Sequence, residues 1–207
     1  MLNIALPKGR LGDKVYALFD KIGYGANGAV GDDRKLIIED PDRQVRYLLV
    51  KPSDVAVYVE HGAADIGVVG KDILMEHPSD VFELLDLKIG KCRFAVAAKE
   101  DFVDDPAVPL RIATSFPHVT QTYYREKNRQ IEVIELHGSI ELAPLVGLSD
   151  VIVDIVETGS TLRENNLHII EEIAAISARL ICNKSSYHFR MDSIRYIVNK
   201  LLEEIEA

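Results

Sequence analysis

Val151-Ile-Val-Asp154-Ile-Val-Glu157-Thr158-Gly159-Ser160-Thr161-Leu162 runs from an apolar segment holding one carboxylate into a small, hydroxyl-rich turn. Helix-compatible Leu162-Arg163-Glu164-Asn165 follows at once. Strand, turn and helix in that order form the repeating unit of an open α/β sheet. The turn has the chemistry of an anion cradle. Backbone N–H groups from Thr158 to Leu162 converge at a helix start, and the hydroxyls of Thr158, Ser160 and Thr161 add donors. Gly159 lets the backbone come close to a ligand. Asp154 falls near the carboxyl end of the strand, where ligands collect in such sheets. A carboxylate there suits sugar hydroxyls or an Mg2+-bound diphosphate. Taken alone, the stretch reads equally well as an ordinary helix N-cap after a buried strand.

Outward from it, strand and helix signals alternate almost throughout. Strands are expected at Leu2–Leu6, Leu36–Glu39, Val45–Val50, Ile66–Val69, Val81–Leu87, Arg93–Ala98, Arg111–Thr114, Glu132–Leu136 and Val151–Val156. Helices are expected at Leu11–Ile22, from Pro52 to about Gly62, from Lys71 to about His77, and at Val119–Lys127, Ile140–Val146 and Met191–Ile205. The first shows apolar residues at Leu11, Val15, Leu18, Phe19 and Ile22, the period of one buried face. Gly23 and the Gly25-Ala26-Asn27-Gly28 run end it. His168–Ser177 and Ala178–Asn183 read as two further strands, the first also compatible with a helix. The alternation predicts an α/β fold with mostly parallel sheets covered on both faces. About ten strands exceed one comfortable sheet. The chain is therefore expected to form two lobes with a cleft between them, residues 1–90 plus 178–207 and residues 91–177.

Composition limits the function classes. A formal net charge of −9 over 207 residues argues against general nucleic-acid binding. A polyanionic ligand would have to meet a local cluster of cations. No stretch has the apolar length of a membrane span. The first residues read as a core strand and not as an export signal, so a cytoplasmic location is expected. Cys92 and Cys182 are expected as unoxidised thiols in a reducing compartment. The six histidines show no HExxH or Cys/His spacing, and no G-x-S-x-G elbow, Walker loop or C-x-x-C is present.

Cations gather elsewhere. Pro7-Lys8-Gly9-Arg10 follows the first strand and forms a candidate diphosphate or triphosphate clamp, with Arg10 suited to bidentate contact. A solvated basic loop explains the same residues. Lys51 stands just after another strand; Arg34 and Lys35 are weaker candidates. Asp65-Ile-Gly67-Val-Val-Gly70-Lys-Asp72 is a second strand-turn-helix junction, whose glycines serve either ligand approach or tight packing. Glu141 and Glu157 are further carboxylates near the presumed site.

Taken together, the chain resembles the short form of the ATP phosphoribosyltransferase family. The resemblance rests on Leu-Pro-Lys-Gly-Arg at 6–10, Lys-Pro-Ser-Asp-Val at 51–55, the run from Tyr58 to Asp72, and Gly138 to Gly147. It extends through Glu141, Gly147, Ser149, Asp154, Thr158, Gly159, Thr161, Leu162 and Asn165. It implies a fold like type II periplasmic binding proteins and transfer of the phosphoribosyl group of phosphoribosyl pyrophosphate to N1 of the adenine of ATP, with Mg2+. It implies that Asp154 and Glu141, with the turn Thr158, Gly159, Ser160, Thr161 and Leu162, hold phosphoribosyl pyrophosphate. Lys8, Arg10 and Lys51 would face the phosphates of either substrate, with Gly70 and Asp72 on the ATP side. From the chemistry of the reaction, Lys51 or Arg10 is expected to stabilise the departing diphosphate as the catalytic cation. No all-protein metal cage is expected; Mg2+ would be held through substrate and Asp154. Long-form members continue into a histidine-binding regulatory domain, whereas the short form depends on a separate subunit similar to histidyl-tRNA synthetase. A solute-binding protein and a phosphoribosyltransferase of the other common fold are the rival readings. The first would carry an export signal, and the second usually has two adjacent acidic residues at the ribose strand, where Asp154 stands alone.

Overall fold

The computed structural model describes residues 1–26 and 35–206. Asn27, Gly28 and Arg34 lie outside the described residues. The chain divides into two compact units, one comprising Met1–Leu74, Pro78–Gly90 and Ser177–Ala207, the other Met75–His77 and Lys91–Ile176.

The first unit is built on a six-stranded sheet of β1 (Leu2–Pro7), β2 (Ile37–Asp40), β3 (Val45–Val50), β4 (Ile66–Gly70), β5 (Phe82–Asp86) and β11 (Ala178–Cys182). Their order is β2-β3-β1-β4-β11-β5. Alternation along β1 sets its two faces. Ile4 and Leu6 join a core with Val15 and Phe19 of α1 (Arg10–Lys21) and with Ile194, Ile197 and Leu201 of the C-terminal helix (Met191–Glu206). Ala5 points the other way, onto Val55 and Val59 of α2 (Val55–Glu60). Both helical faces carry apolar residues three and four apart, the spacing that covers a sheet. Tyr47 is fully buried in the first core and donates its hydroxyl to the Tyr24 carbonyl at 2.6 Å. At the start of α1, Gly12 is obligatory, because a Cβ there would sit 1.8 Å from the carbonyl oxygen of Pro7.

The second unit is a five-stranded sheet of β6 (Cys92–Lys99), β7 (Leu110–Thr114), β8 (Ile131–Glu135), β9 (Val151–Val156) and β10 (Leu167–Ile176), in the order β10-β6-β9-β7-β8. One face meets Tyr124 of α4 (Pro117–Glu126) through Val96, Ile112, Val151 and Val153. The opposite face carries Ala95, Ala97, Ala113, Ile152 and Val156, packed with Ile140, Ala143 of α5 (Leu142–Leu145) and Leu162 of α6 (Ser160–Glu164). Helix α3 (Lys71–Glu76) ends in buried Glu76, whose carboxylate accepts from the amides of His118 and Val119 at 2.9 and 3.0 Å.

The α/β class and the two sheets agree with the sequence reading, but the predominance of parallel pairing does not. β1 pairs parallel with β3 and β4, and β7 with β8 and β9. The pairs β2–β3, β4–β11, β5–β11, β6–β9 and β6–β10 are antiparallel. The reason is connectivity: β2 and β3 are joined by a short turn, and β6 and β11 each run opposite to both strands that flank them. β10 is a strand, with two register shifts against β6. The short helix α7 (Lys184–Phe189) was not foreseen; Asn183 caps it by accepting from the Ser186 amide at 3.0 Å. Among the described residues, no helix is long and apolar enough to cross a membrane.

Candidate active site

Asp154 lies one residue beyond Val153, the last position of β9 paired with β7. The parallel pair thus delivers its carboxylate to the carboxyl edge of the sheet. Period-two alternation puts Asp154 on the same face as Ile152 and Val156, which are both buried in the apolar core of the second unit. A carboxylate set into an apolar face loses hydration. That burial, reinforced by the negative charge of Glu141, pushes its pKa up to about 6 against the opposing hydrogen bond from the Ile155 amide. That amide donates to Oδ1 at 2.7 Å.

Past β9 the chain turns through Gly159, whose φ of 71° and ψ of 13° are left-handed. A side chain there would be strained, so glycine is the residue that makes the turn at least cost. The Thr158 and Ser160 hydroxyls lie 3.1 Å apart, and the Ser160 amide donates to Thr158 Oγ1 at 3.4 Å. Among the described residues, the amides of Thr161 and Leu162 meet no protein acceptor. They are free N–H donors of the first turn of α6. The loop, Asp154 and Glu141 together line a hollow of about 250 Å³. Glu141 reaches it from the residue that opens α5. The structure thus brings together the residues that the sequence reading grouped around Asp154, Glu157 among them.

Sequence reasoning overlooked Arg163. Its Nη1 donates to the Thr158 carbonyl at 3.1 Å. The signal was available: Arg163 is four residues after Gly159, and its amide bonds the Gly159 carbonyl at 3.2 Å. One helical turn therefore places this side chain over the loop, since long helical side chains lean towards the N-terminus.

The first unit has its own set of candidates. Pro7 pairs with Val50 across β1 and β3, and the Lys8 amide donates to the Val50 carbonyl at 2.8 Å. Lys8 and Lys51 therefore leave the same carboxyl edge as neighbours. Both line a hollow of about 490 Å³ whose wall includes Leu48, Val50 and Tyr58. Arg10 is the exposed first residue of α1. Gly70 ends β4 at that edge as well. The Asp72 carboxylate occupies the space that a side chain on Gly70 would need. Burial raises the pKa of Asp72, while the amides of Asp72 and Ile73 pull it back down. Among the described residues, no cluster of three or more His, Cys, Asp or Glu side chains forms a metal cage.

Known proteins similar to this chain agree with one another. A model of the family described as HisG, ATP phosphoribosyltransferase, matches residues 51–207. A protein of Brachyspira hyodysenteriae called ATP phosphoribosyltransferase is 59% identical over 206 residues, covering 99% of this chain and 100% of that protein. Among solved structures, the ATP phosphoribosyl transferase (HisG:HisZ) complex from Thermotoga maritima superposes with a TM-score of 0.85 at 39% identity. The match covers 100% of this chain and 99% of the other. The periplasmic aliphatic sulphonate binding protein SsuA from Escherichia coli shares the fold, with a TM-score of 0.61 at 10% identity over 99% of this chain and 72% of the other.

Proposed function

The chain belongs to the ATP phosphoribosyltransferase family, and we propose that the loop between β9 and α6 is where it holds phosphoribosyl pyrophosphate. The enzyme transfers the phosphoribosyl group of that substrate to ATP, the first step of histidine biosynthesis. It works in a hetero-oligomer with a HisZ-type regulatory subunit. In our reading that subunit resembles histidyl-tRNA synthetase and relays histidine feedback, and the enzyme acts in the cytoplasm.

One observation carries the assignment of the loop: a left-handed glycine turn with unbonded amides and two hydroxyls follows directly on a half-buried carboxylate. The amides and hydroxyls suit the 5-phosphate, and Asp154 suits the ribose hydroxyls. The nucleophile in this reading is N1 of adenine, which carries a free lone pair, so no side chain has to remove a proton from it. The protein has instead to align N1 with C1 of the ribose and to neutralise the diphosphate that leaves as the C1–O bond breaks.

Enzymes of this family use a metal, and Mg2+ is the one proposed. Glu141 lies close enough for its charge to act on Asp154, and the two are a pair of hard oxygen donors suited to Mg2+ once substrate oxygens complete its shell. Bound there, the metal would neutralise charge on the diphosphate. We assign Lys8, Arg10 and Lys51 to the phosphates of the two substrates, with Arg10 and Lys51 acting on the leaving group. Gly70 and Asp72 are assigned to the ATP side, Asp72 as the carboxylate that fixes the start of α3. Single-turnover rates test the leaving-group role. Arg10→Ala or Lys51→Ala should slow the chemical step; unchanged chemical steps in both would remove these residues from catalysis.

A further inference from the structure

Three carboxylates, Glu141, Asp154 and Glu157, line the hollow at the phosphate loop, and among the described residues no lysine or arginine joins them in the lining. A sugar phosphate entering it brings more negative charge to a wall that already carries three acidic groups. Neutral amides and hydroxyls bind a phosphate, but they leave that repulsion unscreened. Besides a metal held on Asp154 and Glu141, charge behind the wall offsets part of it, and Arg163 supplies that charge. Among the described residues it is the one cation whose side chain bonds the loop, through Nη1 to the Thr158 carbonyl at 3.1 Å. No other protein partner takes its remaining guanidinium N–H groups among the described residues.

The contact also acts on the shape of the loop. A carbonyl turned into an anion pocket repels the anion. Here the Thr158 carbonyl points at a guanidinium that is not part of the pocket lining. Gly159 leaves room for this arrangement, because a Cβ there would sit 3.3 Å from Arg163 Nη1. The absent side chain therefore serves two ends, the left-handed turn and the passage of the guanidinium across it.

We propose that Arg163 is a positioning residue for phosphoribosyl binding, which holds the Thr158 carbonyl out of the phosphate pocket and offsets its acidic wall. This rests on the assignment of the loop to the sugar phosphate. Arg163 does not touch the substrate and takes no part in the transfer itself. Its effect is confined to one substrate.

The test uses the full chain as wild type, Arg163→Gln and Arg163→Lys. Calorimetric titration with ribose 5-phosphate and with phosphoribosyl pyrophosphate reads affinity directly. Steady-state kinetics with the regulatory subunit present reads each KM and kcat. Arg163→Gln should weaken both ligands about three- to fivefold, the upper end of one partly exposed charge interaction. KM for ATP and kcat at saturating phosphoribosyl pyrophosphate should stay unchanged. Arg163→Lys keeps the charge on a side chain of similar reach and should recover at least half of the lost affinity. Affinity of Arg163→Gln within twofold of wild type would overturn the proposal, as would a parallel rise in KM for ATP or no recovery with lysine. Failure of wild type itself to bind either ligand would overturn the loop assignment and this proposal together.

Discussion

Replacing Asp154 by asparagine should make the protein more stable at pH 8 while weakening its hold on phosphoribosyl pyrophosphate. The argument starts from where β9 places the carboxylate, on an apolar face between Ile152 and Val156 with Glu141 near by. These surroundings raise its pKa from 3.8 to about 6. Each pKa unit is worth about 1.4 kcal/mol, so holding the group ionised in the folded state costs about 3 kcal/mol. The sign follows from linkage. The folded state binds this proton more tightly than the unfolded chain does, so the carboxyl does no harm below the unfolded value. Stability is lost as pH rises from about 4 to about 6, and the full penalty persists above that. Asparagine keeps an acceptor for the Ile155 amide and removes the charge, but its NH2 group gives back part of the gain. A net stabilisation of about 2 kcal/mol is expected at pH 8, roughly 4–8 °C in melting temperature for a chain of this size. At pH 4 the advantage should vanish, leaving the asparagine variant level with wild type or about 1–2 °C below it. The assay is thermal unfolding of both across pH 4 to 8, beside calorimetric titration with phosphoribosyl pyrophosphate. A difference in melting temperature that does not change with pH, or an asparagine variant less stable at pH 8, would refute the reasoning.

Gly159→Ala forces a side chain into a left-handed residue and against Arg163. It should lower stability by about 1–2 kcal/mol and abolish most sugar-phosphate binding while leaving the circular dichroism spectrum intact; unchanged affinity would count against the loop. Gly12→Ala places a Cβ 1.8 Å from a backbone oxygen that has no room to move. It should lower stability by more than about 4 kcal/mol in urea unfolding, and a loss under 1 kcal/mol would show that α1 is not pinned against β1 as described.

Much of this was legible in the sequence because it was written in local patterns. The period of α1, the apolar run of β9 and the small residues between β9 and α6 each announce an element and its end. The grouping of Glu141 with Asp154 came from the family resemblance, since 13 positions and a helix separate them in the chain. Strand direction was not legible in this way. Whether β10 runs parallel or antiparallel to β6 depends on which strand it meets, a long-range choice that its alternating pattern does not encode. α7 was missed because Lys-Ser-Ser-Tyr-His-Phe has no apolar period; tertiary contacts and the Asn183 cap hold it instead. Arg163 was missed for a related reason. In the sequence it is only part of the helix-compatible run after the turn, and the backbone turn at Gly159 reveals that its guanidinium lies across the loop.

The central claim is a substrate pair, and diphosphate release tests it most directly. Full-length chain is mixed with ATP, phosphoribosyl pyrophosphate and Mg2+, with and without the HisZ-type subunit, and diphosphate is followed in time. Release should require both substrates and rise when the regulatory subunit is added. No release from both substrates in the presence of a bound, verified partner would contradict the account and leave a nucleotide-binding protein in its place.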